Sequence, residues 1–194
     1  MQTVQRSSTR FVAIGAAALG WNIAVGPALG LSPRDRAIAN ALVGVAFSGV
    51  TGVSGVGRWG AGLRWGLGAA APVALTYGVV AAVPALRARV ASLPPEGDAT
   101  QWLTLRIPLG TVVCEELIFR GALQGMRGVL ATSIVFGLWH IPVAQGRVTT
   151  LAATGAGGLV FGWLRQRSGS VVAPAVLHYV LNAGGAALRV LAAR

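Results

Sequence analysis

Residues 11–31, 37–57 and 65–86 contain no charged side chain, and each run has the roughly 20 apolar residues that an α-helix needs to cross a bilayer. Three such runs in succession exclude an ordinary soluble globule. Inside lipid every backbone N–H and C=O must find a partner in the protein, which only helices and closed barrels provide. The runs are too long and continuous for barrel strands of about 10 alternating residues. The second half repeats the pattern less cleanly. Residues 102–119 are apolar except for Arg106, Glu115 and Glu116, residues 129–144 contain His140, residues 148–164 are uncharged, and residues 171–188 contain His178. The fold class predicted is all-α, a polytopic transmembrane helix bundle of about seven spans with the last four forming one core. The longest polar connection, residues 87–101 with Pro94, Pro95, Glu96 and Asp98, reads as an extramembrane loop. It divides an N-terminal three-span segment, residues 1–100, from a four-helix core, residues 101–194.

The chain has 16 arginines, no lysine and five acids, for a formal charge of +11. Such a balance suggests nucleic acid when the cations cluster on a polar surface. Here they punctuate the gaps between apolar runs, as interfacial anchors on anionic lipid do. The partner read from charge is therefore the lipid bilayer and not nucleic acid, and the location expected is a bacterial cell membrane. Arginines divide almost equally between alternate loops, so positive-inside bias does not orient the chain. Arg6 and Arg10 precede the first run as in a signal peptide, but the run exceeds an h-region of roughly 7 to 15 residues, which favours a retained span. The 28 glycines lie within the apolar runs, where small residues let helices approach closely. Gly155, Gly158 and Gly162 share one helix face and are read as packing residues. A single cysteine, Cys114, excludes an intramolecular disulfide.

A charge at membrane depth costs about 2.5 to 3.5 kcal/mol even on the lenient insertion scale, so the polar residues kept there are informative. Two of the five acids, Glu115 and Glu116, end the fourth apolar segment, and both histidines, His140 and His178, lie in the fifth and seventh. Glu116 and Arg120 stand at i and i+4, on one helix face, and can pair. Glu115 points about 100° away and is free to face something else. Phe136 with His140, and His178 with Asn182, have the same i, i+4 spacing. Facing inward, the three helices bring Glu115, His140, His178 and Asn182 around one polar cavity.

Such a cavity suits hydrolysis. A carboxylate held out of water is a competent general base towards a water molecule, and a histidine beside it can share the proton. A second histidine with an amide one turn on offers donors to a developing oxyanion. Alternatively, Glu115, His140 and His178 hold a divalent metal such as zinc that activates the water, although the HExxH spacing of the common zinc hydrolases is missing. Each histidine alone reads as a packing residue and Glu116 with Arg120 as a clamp, but all of them on three successive helices exceed what packing requires. Cys114 reads as a small lining residue more readily than as a nucleophile. Gly52, Val53, Ser54 and Gly55 spell the GxSG of serine intramembrane proteases but fall at the end of a glycine-rich span. Trp139 and Trp163 are read as interface or packing residues.

Residues 114–121, Cys-Glu-Glu-Leu-Ile-Phe-Arg-Gly, resemble the EExxxR motif of the CPBP intramembrane proteases, the group that holds CAAX prenyl endopeptidases and bacteriocin-processing or immunity proteins of the ABI type. Phe136 to His140 resembles its FxxxH motif, and His178 to Asn182 its HxxxN helix. The resemblance covers about residues 105–186. It implies an intramembrane endopeptidase acting on a membrane-associated protein or peptide. Glu115 with His140 would activate water, and His178 with Asn182 would stabilise the oxyanion. Glu116 and Arg120 would be a supporting pair, Glu116 possessing an assisting role, with Phe136 supporting the site. Metal-dependent and metal-free glutamate chemistry both fit the motifs. The competing class is a membrane scaffold or immunity factor that keeps the fold without cutting.

Overall fold

The computed structural model describes residues 2–51, 57–91 and 97–193. Helix dominates, and no strand forms among the described residues, in keeping with the continuous apolar runs. Helix α1 covers residues 2–28 and widens into a π turn at Trp21–Val25; α2 is Pro33–Thr51, α3 is Trp59–Ala82 and α4 is Pro84–Ala91. Helix α5 runs through residues 99–127 and α6 through residues 129–139. Gly128 separates them at φ 76° and ψ −174°, a conformation open in practice to glycine alone. A turn at Ile141–Ala144 leads to α7, Val148–Ser168, and α8, Val172–Ala192.

Three boundaries differ from the sequence reading. The connection expected over residues 87–101 is partly helical, because Pro84 only pauses the chain. It holds Val83 extended at ψ 111° and then opens α4 from a position where its missing N–H costs nothing, so Arg87 and Arg89 ride on a helix. Asp98, expected in that loop, caps α5 by accepting from the backbone N–H of Thr100 at 2.9 Å and of Gln101 at 3.1 Å. The run over residues 129–144 is broken at His140, which leaves the helix at φ −87° and ψ 8°. The Gly52–Gly55 tetrad and Pro94, Pro95 and Glu96 lie outside the described residues.

Three helices, Ser7–Ala28, Trp59–Ala82 and Val172–Ala192, are long and apolar enough on their own to cross a membrane. The bundle is apolar outside and charged inside: Leu42, Val50, Leu67, Leu75 and Leu130 are exposed, whereas Glu115, Glu116, Arg120, Gln124 and His178 are buried. This is the arrangement of an integral membrane protein, with lipid as the outer solvent. Lipid tails are as apolar as leucine, so helices there associate through close packing and interhelical hydrogen bonds. Both are present. Helix α3 lies along α8, α6 along α7, and α2 along α5, so the N-terminal helices take their principal contacts from the C-terminal ones. A Cβ on Gly158 would stand 3.1 Å from Phe136 Cδ1, and one on Gly162 would stand 2.6 Å from Val129 Cγ1; these positions bring α7 against α6, as the sequence spacing predicts. Asn22 of α1 donates to the Trp139 carbonyl at 2.7 Å. Asn40 of α2 donates to the Gly110 carbonyl at 3.1 Å and accepts from Trp21 at 2.9 Å.

Candidate active site

Cys114, Glu115 and Glu116 form one α-helical turn of α5 between two π-helical stretches, Trp102–Val113 and Leu117–Leu123. π turns are rare and recur at functional sites, because the wider turn re-aims the side chains that follow it. Both carboxylates point into the bundle. Glu116 is 1 % exposed and Arg120 is 2 % exposed. The expected i, i+4 pair forms, with Arg120 Nη1 donating to Glu116 Oε1 at 3.3 Å. Arg120 Nη2 donates to the Gly158 carbonyl at 3.2 Å, which ties α5 to α7. The guanidinium sits 4.3 Å from the Phe136 ring centroid and 5.0 Å from that of Phe161, a cation–π cage that replaces part of its lost hydration.

His178 enters from α8 between the two glutamates. Its Nδ1 lies 2.8 Å from Glu116 Oε1 and its Nε2 lies 3.8 Å from Glu115 Oε2. An ionised Glu116 only accepts, so Nδ1 is assigned the proton of the shorter contact. The longer contact exceeds hydrogen-bond range, which leaves Nε2 uncommitted. Phe161 stacks on the imidazole at 4.8 Å and holds the ring plane. Two carboxylates, one guanidinium and one imidazole are thus buried together, and buried charges are tolerated where they are paired and hydrogen-bonded.

Glu115 is fixed by a residue read from sequence as packing. Trp139 Nε1 donates to Glu115 Oε1 at 3.0 Å, and its ring, 4 % exposed, meets Phe119 edge-on at 5.5 Å. Glu115 Oε2 is left without a hydrogen-bond partner among the described residues. His140 follows Trp139 and is partly buried. Its Nδ1 donates to the Phe136 carbonyl at 2.8 Å, because a carbonyl can only accept, and this sets the tautomer with Nε2 as the free nitrogen. Phe136 meets the His140 ring at 4.9 Å and the His178 ring at 6.2 Å, so it lies between the two histidines. Asn182 is exposed and donates to the His178 carbonyl, one turn back, at 3.1 Å.

Glu115, Glu116, Arg120 and His178 are therefore in direct contact, while the Glu115 hydrogen bond goes to the residue before His140 instead of to His140. Among the described residues no group of three His, Cys, Asp or Glu side chains is gathered as a metal ion requires, so the set Glu115, His140 and His178 is not assembled as a ligand shell. Cys114 is wholly buried, with its backbone close to Gly44 of α2. Sequence reasoning missed Trp139, Phe161 and Asn22. The signal available was an indole N–H and an amide set inside apolar runs, groups that seek a partner when buried.

Comparison with curated proteins and with solved structures finds no match. A family model, type II CAAX prenyl endopeptidase Rce1-like, matches residues 98–184, somewhat under half of the chain. The match starts at the cap of α5 and ends just beyond Asn182, so it takes in the glutamate pair and both histidines. By this match residues 98–184 are similar to the type II CAAX prenyl endopeptidase Rce1-like family.

Proposed function

We propose that the protein is an intramembrane endopeptidase that hydrolyses a peptide bond in a membrane-associated protein or peptide, with Glu115 as general base. The observation that carries this reading is the state of Glu115: 6 % exposed, held through Oε1 by Trp139, with Oε2 unpartnered. One oxygen orients the carboxylate and the other is free to take a proton. Water activated by Glu115, with His140 Nε2 sharing the proton, adds to the scissile carbonyl carbon. The proton passes to Glu115 and then to the leaving amine as the C–N bond breaks, which yields a new carboxyl and a new amino terminus. His178 and Asn182 donate to the oxyanion, and Glu116 with Arg120 holds His178 in place. In this scheme Glu115 itself activates the water, so chelation is expected to leave turnover unchanged, whereas a metal-dependent reaction would stop.

The division into a supporting shell, residues 1–100, and a catalytic core, residues 101–194, and the count of seven spans belong to the same proposal. The matched family's description speaks of prenyl substrates, and an apolar groove of about 500 Å³ supports a lipid-modified substrate here. Tyr77, Gly78, Leu103, Tyr179, Gly184 and Leu188 line it, next to the turn that carries His178 and Asn182. The test is cleavage of one peptide, prenylated and unmodified, by purified protein in detergent. Wild-type protein is expected to cut, preferentially the prenylated form, and Glu115→Gln to be inactive. Undiminished cleavage by Glu115→Gln would remove Glu115 from the role of base.

A further inference from the structure

Beside Arg120 lies a cavity of about 270 Å³, lined by polar side chains and glycines and not by His178, that the peptidase reading does not use. Arg120, Gly121, Gln124 and Gly125 of α5 and Arg165 and Gln166 of α7 line it, with Gly169. Its rim, at Gly125 and Gln166, is exposed, and its floor, at Arg120 and Gly121, is buried. Three polar atoms of its walls lack a partner among the described residues: Arg120 Nε, Arg165 Nε and Gln124 Oε1. The other nitrogens of Arg120 are engaged by Glu116 and the Gly158 carbonyl, and the Gln124 amide nitrogen donates to the Gly162 carbonyl at 2.9 Å. Two cationic N–H donors and one amide acceptor are left.

The surroundings favour an anion. Arg127 donates to Ser8 at 2.8 Å, Arg10 to the Val50 carbonyl at 3.4 Å, and the Arg58 N–H to the Gly169 carbonyl at 3.4 Å, so these arginines gather at the same end of the bundle as Arg165 and Arg167. The acids described, Asp35, Asp98, Glu115 and Glu116, belong to the far ends of α2 and α5 or to the active site. A buried donor or acceptor without a partner is costly, and a ligand that satisfies all three atoms recovers that cost. A carboxylate satisfies only the donors. A phosphoryl group that also bears a hydroxyl satisfies the donors through its oxygens and Gln124 Oε1 through its O–H.

We propose that this cavity binds a phosphoryl anion carrying a hydroxyl, either inorganic hydrogen phosphate or the phosphoglycerol headgroup of an anionic lipid. The ligand sits one residue from the catalytic cluster, since Arg120 forms both the cavity floor and the clamp on Glu116.

Full-length protein in a non-ionic detergent is titrated with inorganic phosphate, and separately with sulfate, at constant ionic strength while the unfolding midpoint is followed. In parallel, nanodiscs of mixed phosphatidylglycerol and phosphatidylcholine are analysed by native mass spectrometry for the lipid retained. Phosphate is expected to raise the midpoint, or phosphatidylglycerol to be retained selectively; the first alone identifies the free anion as ligand, the second alone the lipid. Arg165→Gln is expected to weaken binding about tenfold or more, as loss of a charged hydrogen bond does. Gly125→Glu places a carboxylate at the rim, where an added Cβ meets nothing within 4 Å, and is expected to abolish binding without disturbing the packing. Response to neither probe, a midpoint raised equally by sulfate and by phosphate, or wild-type binding in both variants overturns the proposal. No peptide is cut in either measurement, so the outcome is separate from that of the peptidase test.

Discussion

Glu115 has its two oxygens in different circumstances, and the difference is made by Trp139. The indole N–H donates to Glu115 Oε1 at 3.0 Å, while Oε2 faces His178 Nε2 at 3.8 Å. Trp139→Phe keeps the ring against Phe119 and removes only the donor. Loss of a hydrogen bond to a charged group corresponds to about 1.5–3 kcal/mol, so turnover is expected to fall by about tenfold or more with KM little changed. Trp163→Phe is the control: that ring is 44 % exposed and packs edge-on against Trp65, and steady-state cleavage is expected to match wild type. Glu116→Gln acts on stability as well, because it leaves Arg120 buried without its counter-charge. Breaking one side of a buried pair costs about 3–5 kcal/mol, to be read as a lower unfolding midpoint in detergent. The Glu116–Arg120 pair was legible in the sequence because i, i+4 spacing on a helix determines it. The Trp139–Glu115 bond was not: its partners stand 24 residues apart on different helices, and a tryptophan in an apolar run looks the same whether it packs or donates.

At the level of elements, the positions and all-helical class were readable from run length, since lipid allows little else. The interruptions were less so. The π turns on both sides of Glu115 and Glu116 leave no mark in hydropathy, and the continuation of α5 to residue 127 runs past the point where Arg120 and Gln124 make the segment look polar. What holds α5 to its neighbours is close approach. An added Cβ on Gly44 of α2 would stand 2.8 Å from the Cys114 Cα, directly behind the glutamate turn, where backbone cannot yield cheaply. Gly44→Ala is therefore expected to destabilise the protein by about 1–3 kcal/mol, as overpacking does, and to reduce cleavage along with it. Gly49→Ala, on the same helix with nothing within 4 Å, is expected to be neutral or to stabilise slightly, because alanine is the better helix former. Denaturant unfolding of the two variants in one detergent separates them; equal midpoints would mean that α2 is free to retreat from α5.

At the scale of the whole molecule, two hydrogen bonds in register show how α5 and α7 run relative to each other. Arg120 donates to the Gly158 carbonyl and Gln124 to the Gly162 carbonyl, an advance of four residues on each helix, so α5 and α7 run parallel. Parallel neighbours in sequence require the chain between them to return the full distance. Helix α7, with 21 residues, rises about 31 Å, the thickness of a hydrocarbon core, and ends beside the C-terminus of α5. The return is made by α6, whose residues 129–139 rise only about 16 Å, helped by the Ile141–Ala144 turn and the stretch up to α7. Hydropathy marks residues 129–144 as a span but cannot show that half of the crossing is made outside regular helix. Arg127 and Arg147 bracket that return and both are exposed, whereas Cys114 is wholly buried and serves as an unreactive background. Arg127→Cys and Arg147→Cys, each one added cysteine beside Cys114 and exposed to a membrane-impermeant maleimide in right-side-out and inverted vesicles, are expected to label from opposite faces. Labelling from the same face would mean that α6 re-enters without crossing, and the count of seven spans would fail while the catalytic cluster stood.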